Sequence, residues 1–185
     1  MNIFYLSKDH EECARMHLDK HVVKMILEYA QLLSTAHRVL DGQQIIEERN
    51  NRKVKIWKLE DQLLDSSLYK ATHINHPSAI WVRQSVNNYN WLIDLLCAVC
   101  KEYTFRYEKI HKVERSGLLN TLTINIPRNI SDKEFIEPPP AMPDKYKVYG
   151  NSIASYRNYY IGAKNGFAKW KNRSKPIWFN QLTTI

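Results

Sequence analysis

DKHVVKMILEYAQLLSTAHR, residues 19–38, decides how this chain is read. Val22, Val23, Ile26, Ala30 and Leu33 recur at helical spacing to form a face for burial, and Asp41-Gly42 supplies a stop. The opposite side is the unusual one. At about 100° per residue, His17, His21, Lys24, Glu28, Gln31 and Thr35 fall within about 80° of one another, and Cys13 extends the row by a turn. A solvated face ordinarily carries Lys and Glu without order, so two histidines, a lone glutamate and an amide in file read as a candidate site. His37 falls on the apolar side and reads as a core histidine.

Outward from this stretch, the spacing predicts a long helix over residues 9–40, preceded by a short extended start at Asn2–Leu6. A charged segment follows, with a small strand or a further helix at KVKIW. Pro77-Ser78 opens a second long helix that buries Ile80, Trp81, Trp91, Leu92, Leu95 and Leu96. A shorter helix to about Leu122 comes next, and a last helix from about Ser152 to Lys169. Pro138-Pro139-Pro140 forbids helix within a long loop over residues 123–148. The fold class expected is all-α: one compact domain with a long proline-containing loop. Residues 1–144 form its helical core, and residues 145–185 form a basic, aromatic helix and tail.

Composition bounds the function classes. The 185 residues, 44% hydrophobic and 25% charged, suit one globular domain with a real core. WLIDLLCAVC, the longest apolar stretch, is too short to span a bilayer and holds Asp94. MNIFYLSKDHEE has no basic lead, and three cysteines are an odd number, so the chain reads as an unexported protein of a reducing cytoplasm. There is no G-x-G-x-x-G, no P-loop and no G-x-S-x-G, which removes the familiar nucleotide-driven and serine-hydrolase machinery.

The charge is located rather than spread. Residues 1–144 hold 19 Lys/Arg against 19 Asp/Glu, whereas residues 145–185 hold 8 against none, so the whole net charge of +8 lies in the last 41 residues. A one-sided excess of this kind is the footprint of a polyanion partner, with nucleic acid first. Tyr156, Tyr159, Tyr160, Phe167 and Trp170 interleave there with Arg157, Lys164, Lys169, Lys171 and Arg173, as stacking and phosphate-binding groups do. Ile153, Tyr160 and Phe167 are expected to dock this helix on the core. Arg83, with Asn87 on the Pro77 helix, is a candidate phosphate clamp.

Two chemistries compete for the stripe. Glu28, flanked by His21, Gln31 and Lys24, suits a general acid or an electrostatic stabiliser; the bland alternative is an exposed Lys24–Glu28 pair. Cys13, His17 and His21 could instead hold zinc, with His73 and His76 as further ligands. Cys97 and Cys100 read as two buried thiols.

DKHVVKMILE resembles the segment of the pyrimidine-dimer DNA glycosylases, the endonuclease V type of phage repair enzyme, in which a helical His precedes the catalytic Glu by seven residues. NHPSAIWVRQSVNNYNWLIDLLCAVCKEYTFRY is similar to the later long helix of that family, and YRNYYIGAK to its basic, tyrosine-rich C-terminus. The order of elements agrees over about two thirds of the chain, and the whole also resembles an accessory protein of large tailed phages. The resemblance implies a cofactor-free, helical DNA glycosylase with AP lyase activity on damaged or modified pyrimidines in double-stranded DNA. In that chemistry an amine attacks the sugar C1′ and a glutamate assists ring opening and β-elimination. Glu28 would be that glutamate and His21 its helper. The amine would be Met1, Lys24 or Lys20; an α-amine, ordinarily titrating at about 8, outdoes a lysine at about 10.4 near neutrality. Arg83, Asn87, Tyr159, Trp170 and the C-terminal cations would hold the DNA. Asn2 stands where the family has a small residue, and Leu27 and Gln31 where its glutamate has arginine neighbours. Two readings stay open beside it: a non-enzymatic phage nucleic-acid-binding or host-takeover protein, and a zinc-dependent enzyme.

Overall fold

The structure is a computed structural model that describes residues 1–49 and 51–180. The extended segment Ile3–Leu6 is buried to the last side chain. It leads into α1 (His10–Met16), whose N-cap Asp9 accepts a hydrogen bond from the Glu12 amide at 2.7 Å. Then comes α2 (Asp19–Asp41), the axis of the molecule. The single helix expected over residues 9–40 is thus two helices, broken at His17–Leu18, where both residues are extended.

No glycine or proline makes that break; a side chain from elsewhere does. Arg106, on α5 (Val86–Tyr107), is fully buried. Its guanidinium donates to the carbonyls of His17 at 2.8 Å and Arg15 at 2.9 Å, the orphan acceptors at the end of α1. The same group pairs with Asp19 at the start of α2 and with Glu102 one turn back on α5. Arg173 closes the network by a two-pronged contact with Glu102. Burial alone would push the Glu102 carboxyl up, but hydrogen bonds from Arg173 and Arg106 outweigh it and hold it below the usual range.

After Gly42 the chain forms an antiparallel hairpin, β1 (Gln43–Arg49) and β2 (Arg52–Lys58), with Ile45 opposite Ile56. The all-α expectation is therefore corrected to a predominantly helical domain with one two-stranded sheet; the strand at KVKIW is the second strand of that hairpin. Fully buried Arg38 fastens the hairpin to α2 by donating to Trp57 O at 2.8 Å, Tyr69 O at 2.6 Å and Leu68 O at 3.0 Å. It also pairs with Asp65 of α3 (Gln62–Ser67).

The Pro77 helix is likewise two: α4 (Pro77–Val82), then α5 with Ser85 as its N-cap. α6 (Lys112–Arg115) and α7 (Leu118–Ile124) follow, so the loop proper begins after Ile124 and contains one short helical turn at Asp144–Tyr146. This loop is bolted down. Trp81 Nε1 donates to Ile136 O at 2.8 Å, and Asn88 accepts from the Ile136 amide at 3.1 Å. The last helix, α8 (Ser152–Lys164), stops before the expected Lys169 and passes into a tight turn at Asn165–Phe167.

The core is built where α2 crosses α5 and α4, with Ile26, Ala30, Leu33, Leu92, Leu95, Leu96 and Trp81 at its centre. Replacing Arg106 by Leu would leave four carbonyl or carboxylate partners without their donor. We expect a loss of about 3–5 kcal/mol in urea-unfolding stability, with no compensating change from added salt.

Candidate active site

The stripe on α2 is not one solvent-facing row. Its first half is interior. Cys13 and His17 are wholly buried and His21 is nearly so, because the segment Ile3–Leu6 lies over them. His17 Nδ1 donates to the Cys13 carbonyl at 2.7 Å, so in the neutral ring Nε2 accepts from the Tyr29 hydroxyl at 2.9 Å. That hydroxyl oxygen takes the Phe4 amide at 3.2 Å, and Cys13 Sγ donates to the Phe4 carbonyl at 3.2 Å. The four contacts make a closed circuit. Leu6 is held too, its amide on Cys13 Sγ at 3.4 Å and its carbonyl on Arg157 Nη2 at 2.8 Å.

His21 stacks on Phe4 with ring centroids 4.1 Å apart, and its Nδ1 is 2.7 Å from the Tyr160 hydroxyl. Burial, then the positive charges of its surroundings, lowers the His21 pKa to about 2; burial lowers those of His17 and His37 to about 4. These are neutral, packed imidazoles. His21 is therefore a scaffold group behind the site rather than an acid in it. His37, 2.8 Å from the Tyr89 hydroxyl, is the core histidine expected.

The second half of the stripe faces the amino end of the chain. The Met1 amino group lies 3.9 Å from a Glu28 carboxylate oxygen, and Lys24 Nζ lies 3.0 Å from the other. The Met1 and Glu28 side chains are only 6% and 13% exposed, whereas Lys24 is open to solvent. A carboxylate this sheltered, with two amines on it, is not the bland surface pair. Further along α2, Thr35 is buried and its hydroxyl accepts from the Thr72 amide at 3.2 Å, which docks the segment before α4 on the stripe. From there the chain turns back through His73, in the left-handed region at φ 48°, to His76.

His76 caps α4, its Nδ1 accepting from the Ser78 amide at 3.1 Å, which leaves the proton of the neutral ring on Nε2. Burial lowers its pKa, the Met1 ammonium and His73 push the same way, and Glu28 opposes them. His76 thus stands within electrostatic reach of both partners of the pair. Read from the sequence as an outlying zinc ligand, it serves instead as the N-cap of α4. The zinc reading of Cys13, His17 and His21 fails on geometry, since both His17 nitrogens and the Cys13 thiol are committed to the circuit around Phe4. Among the described residues no three His, Cys, Asp or Glu side chains gather as metal ligands.

The presumed DNA-holding residues divide by type. Arg83 spends its guanidinium on Ile74 O and Ala79 O, Arg157 on Leu6 O, and Arg173 on Glu102. Trp170 Nε1 donates to Met16 O at 2.9 Å, and Asn87 donates to Lys133 O at 2.7 Å. These five hold the fold together. The lysines do not: Lys20, Lys169 and Lys171 are exposed and Lys164 half so. Lys164 and Lys24 both act on His21 electrostatically, and Lys24 also pairs with Glu28. Val23, expected to be buried, is 42% exposed, as is Leu27 at 40%, beside Lys24 and Glu28. No described helix is long and apolar enough to cross a membrane.

Two measurements probe this arrangement. Tyr29→Phe strands the Phe4 amide and His17 Nε2 in the interior, so stability should drop by about 1–3 kcal/mol, with faster hydrogen exchange at Phe4. The pH profile follows from the depressed imidazoles. Above the ordinary His pKa of about 6.5 both states are neutral; below it the unfolded chain takes protons that the folded one refuses. Stability should therefore fall as pH drops from about 6.5 to about 4, by about 1.4 kcal/mol per pH unit for each such histidine.

Compared with protein-family models, with curated proteins and with solved structures, the chain matches none, so the functional reading rests on this geometry.

Proposed function

We propose that this protein is a DNA glycosylase with AP lyase activity, acting on damaged or modified pyrimidines with the Met1 amine as nucleophile and Glu28 as its acid–base partner. One observation carries this reading: an amino group is fixed 3.9 Å from a sheltered carboxylate by a segment that is itself buried. An amine beside a carboxylate is what imine chemistry at a sugar carbon needs. Asn2, which departs from the resemblance, is no obstacle in this arrangement, since the amine at the carboxylate is that of Met1.

After the ammonium yields its proton to solvent, the amine lone pair forms the N–C1′ bond as the C1′–base bond breaks, and its electrons leave with the base, which takes a proton from water. Glu28, as carboxylate, takes the proton that the newly bonded nitrogen sheds and gives it to O4′, so that the C1′–O4′ bond opens and the imine forms. As carboxylate, Glu28 then removes a C2′ proton, and the C3′–O bond breaks with the 3′-phosphate as leaving group. Water releases the sugar fragment and restores the amine. Lys24 supplies positive charge for the adjoining phosphates, and the Nε2–H of His76 is a neutral donor for the base or the sugar oxygen.

Borohydride added during reaction with abasic-site or pyrimidine-dimer DNA should trap a covalent adduct that maps to Met1. Glu28→Gln should lower turnover by at least about a hundredfold, the low end for a positioned acid–base group. An adduct at Lys24 or Lys20 would move the nucleophile, and no adduct with any such DNA would sink the lyase reading. What would then remain is a non-enzymatic nucleic-acid-binding protein, which the exposed lysines of the C-terminal region favour.

A further inference from the structure

Three of the lysines outside the fold sit over aromatic rings on or beside α8. Lys20 Nζ lies 4.7 Å from the Phe167 ring centroid, Lys164 Nζ 4.5 Å from that of Tyr159, and Lys145 Nζ 5.0 Å from that of Tyr146. Phe167 faces His21 at 6.4 Å, and in a separate pair Tyr159 and Tyr146 are 5.3 Å apart. Gly162 makes the last contact possible. A Cβ there would come 2.4 Å from Tyr146 Cε1, so only glycine lets that ring lie down on α8.

Three residues beyond Tyr146 stands Tyr149, which is fully exposed. It projects from a turn made by Gly150 at φ 69° and bolted to α8 through Ser155, whose hydroxyl takes the Val148 amide at 2.8 Å. An exposed tyrosine on a fixed turn is presented rather than stranded. From Lys164 to Ser152, α8 covers about 18 Å. Of the acids near that length, Asp144 is paired with Lys147 at 2.8 Å, and the Glu137 carboxylate takes the Ser152 amide at 3.4 Å.

From this ladder we infer that α8 and the turn at Tyr149 bind single-stranded DNA, and that the strand beside the reacting nucleotide is unpaired on this side. The inference rests on the proposed function only for where the reacting nucleotide sits. Rings spaced along a basic track suit bases that have left the helical stack, because each base offers a ring face whatever its sequence, while a closed duplex hides those faces. These three rings are half-buried, and an ammonium over the open part of such a ring is weakly held. On binding, the base takes the ring face and the lysine swings to the phosphate, so the apo contacts mark the places that nucleotides fill. About 18 Å accommodates the low end of the roughly 4–16 nucleotides that such platforms cover.

The test is fluorescence anisotropy with the full chain and undamaged 12-nucleotide DNA, single-stranded or annealed, at low and moderate salt. Single strands should bind at least about tenfold tighter than duplex, with affinity falling steeply as salt rises. Tyr149→Ala removes a side chain that packs on nothing, so it should fold normally and weaken single-strand binding by about fivefold or more. Gly162→Ala, which tips Tyr146 off α8, should weaken it too, with duplex binding unchanged for both. Duplex bound as tightly as single strands, or no effect of Tyr149→Ala, would overturn the inference. Equal affinity for RNA would overturn the commitment to DNA. The outcome is independent of the trapping experiment, since binding without an adduct removes the lyase alone and an adduct without single-strand preference removes this platform alone.

Discussion

The structure depends on the hydrogen-bonded circuit that joins Phe4, Tyr29, His17 and Cys13. Four polar groups sit there with almost no access to water, and each finds a partner in the next. The low local dielectric makes such a closed set strong and makes any gap in it costly. Its effect is to turn an amino-terminal segment, the part of a chain most prone to fray, into part of the core. Only two residues separate Phe4 from Met1, so fixing the one restricts the reach of the other to the neighbourhood of Glu28. Rigid support of this sort is what keeps a reactive pair within fractions of an ångström of a working geometry.

Cations are sorted by the same logic. Arg38, Arg83, Arg106, Arg157 and Arg173 all turn inward, onto backbone carbonyls and carboxylates. A guanidinium offers five donors in a planar fork and stays charged in partial burial, so one side chain can satisfy several orphan acceptors at once. A lysine ammonium is more strongly hydrated and remains at the surface, which is where Lys20, Lys24, Lys145 and Lys164 are found. The excess charge of the C-terminal region is therefore a smaller external field than its count suggests, but a better placed one, along α8 and the exposed side of α2.

How much of this the sequence could disclose depends on whether the cause was local. The helix over residues 19–38, its apolar side and the peculiarity of its other side follow from spacing. So do the core histidine His37, the burial of Tyr160 and the proline-bound loop. The break at His17–Leu18 was not legible, because Arg106, 89 residues on, supplies the donors that end α1. Nor was the burial of half the stripe, although MNIFYL, apolar at four consecutive positions, held a hint that the segment belonged inside. Ser85 was a readable signal: a serine before a helical run is an N-cap, and it divides the Pro77 helix. The electrostatic influence of Glu28 on His76 had no sequence signal, since it depends on how the segment before α4 docks on α2 through Thr35 and Thr72.

The two halves of the stripe thus answer to one requirement. If Glu28 alone were needed, a surface helix would serve, and nothing would call for Cys13, His17 and His21 on the same line. If only a core were needed, leucines in their place would pack as well without the risk of unpaired polar atoms. Polar groups kept in the interior make sense where a backbone segment must be held in one register, because apolar contacts tolerate sliding and hydrogen bonds to particular amides and carbonyls do not. The segment so held is the one that carries the amine. Under the proposed function, scaffold and chemistry share a helix face because the scaffold brings the beginning of the chain to a carboxylate two turns further along it.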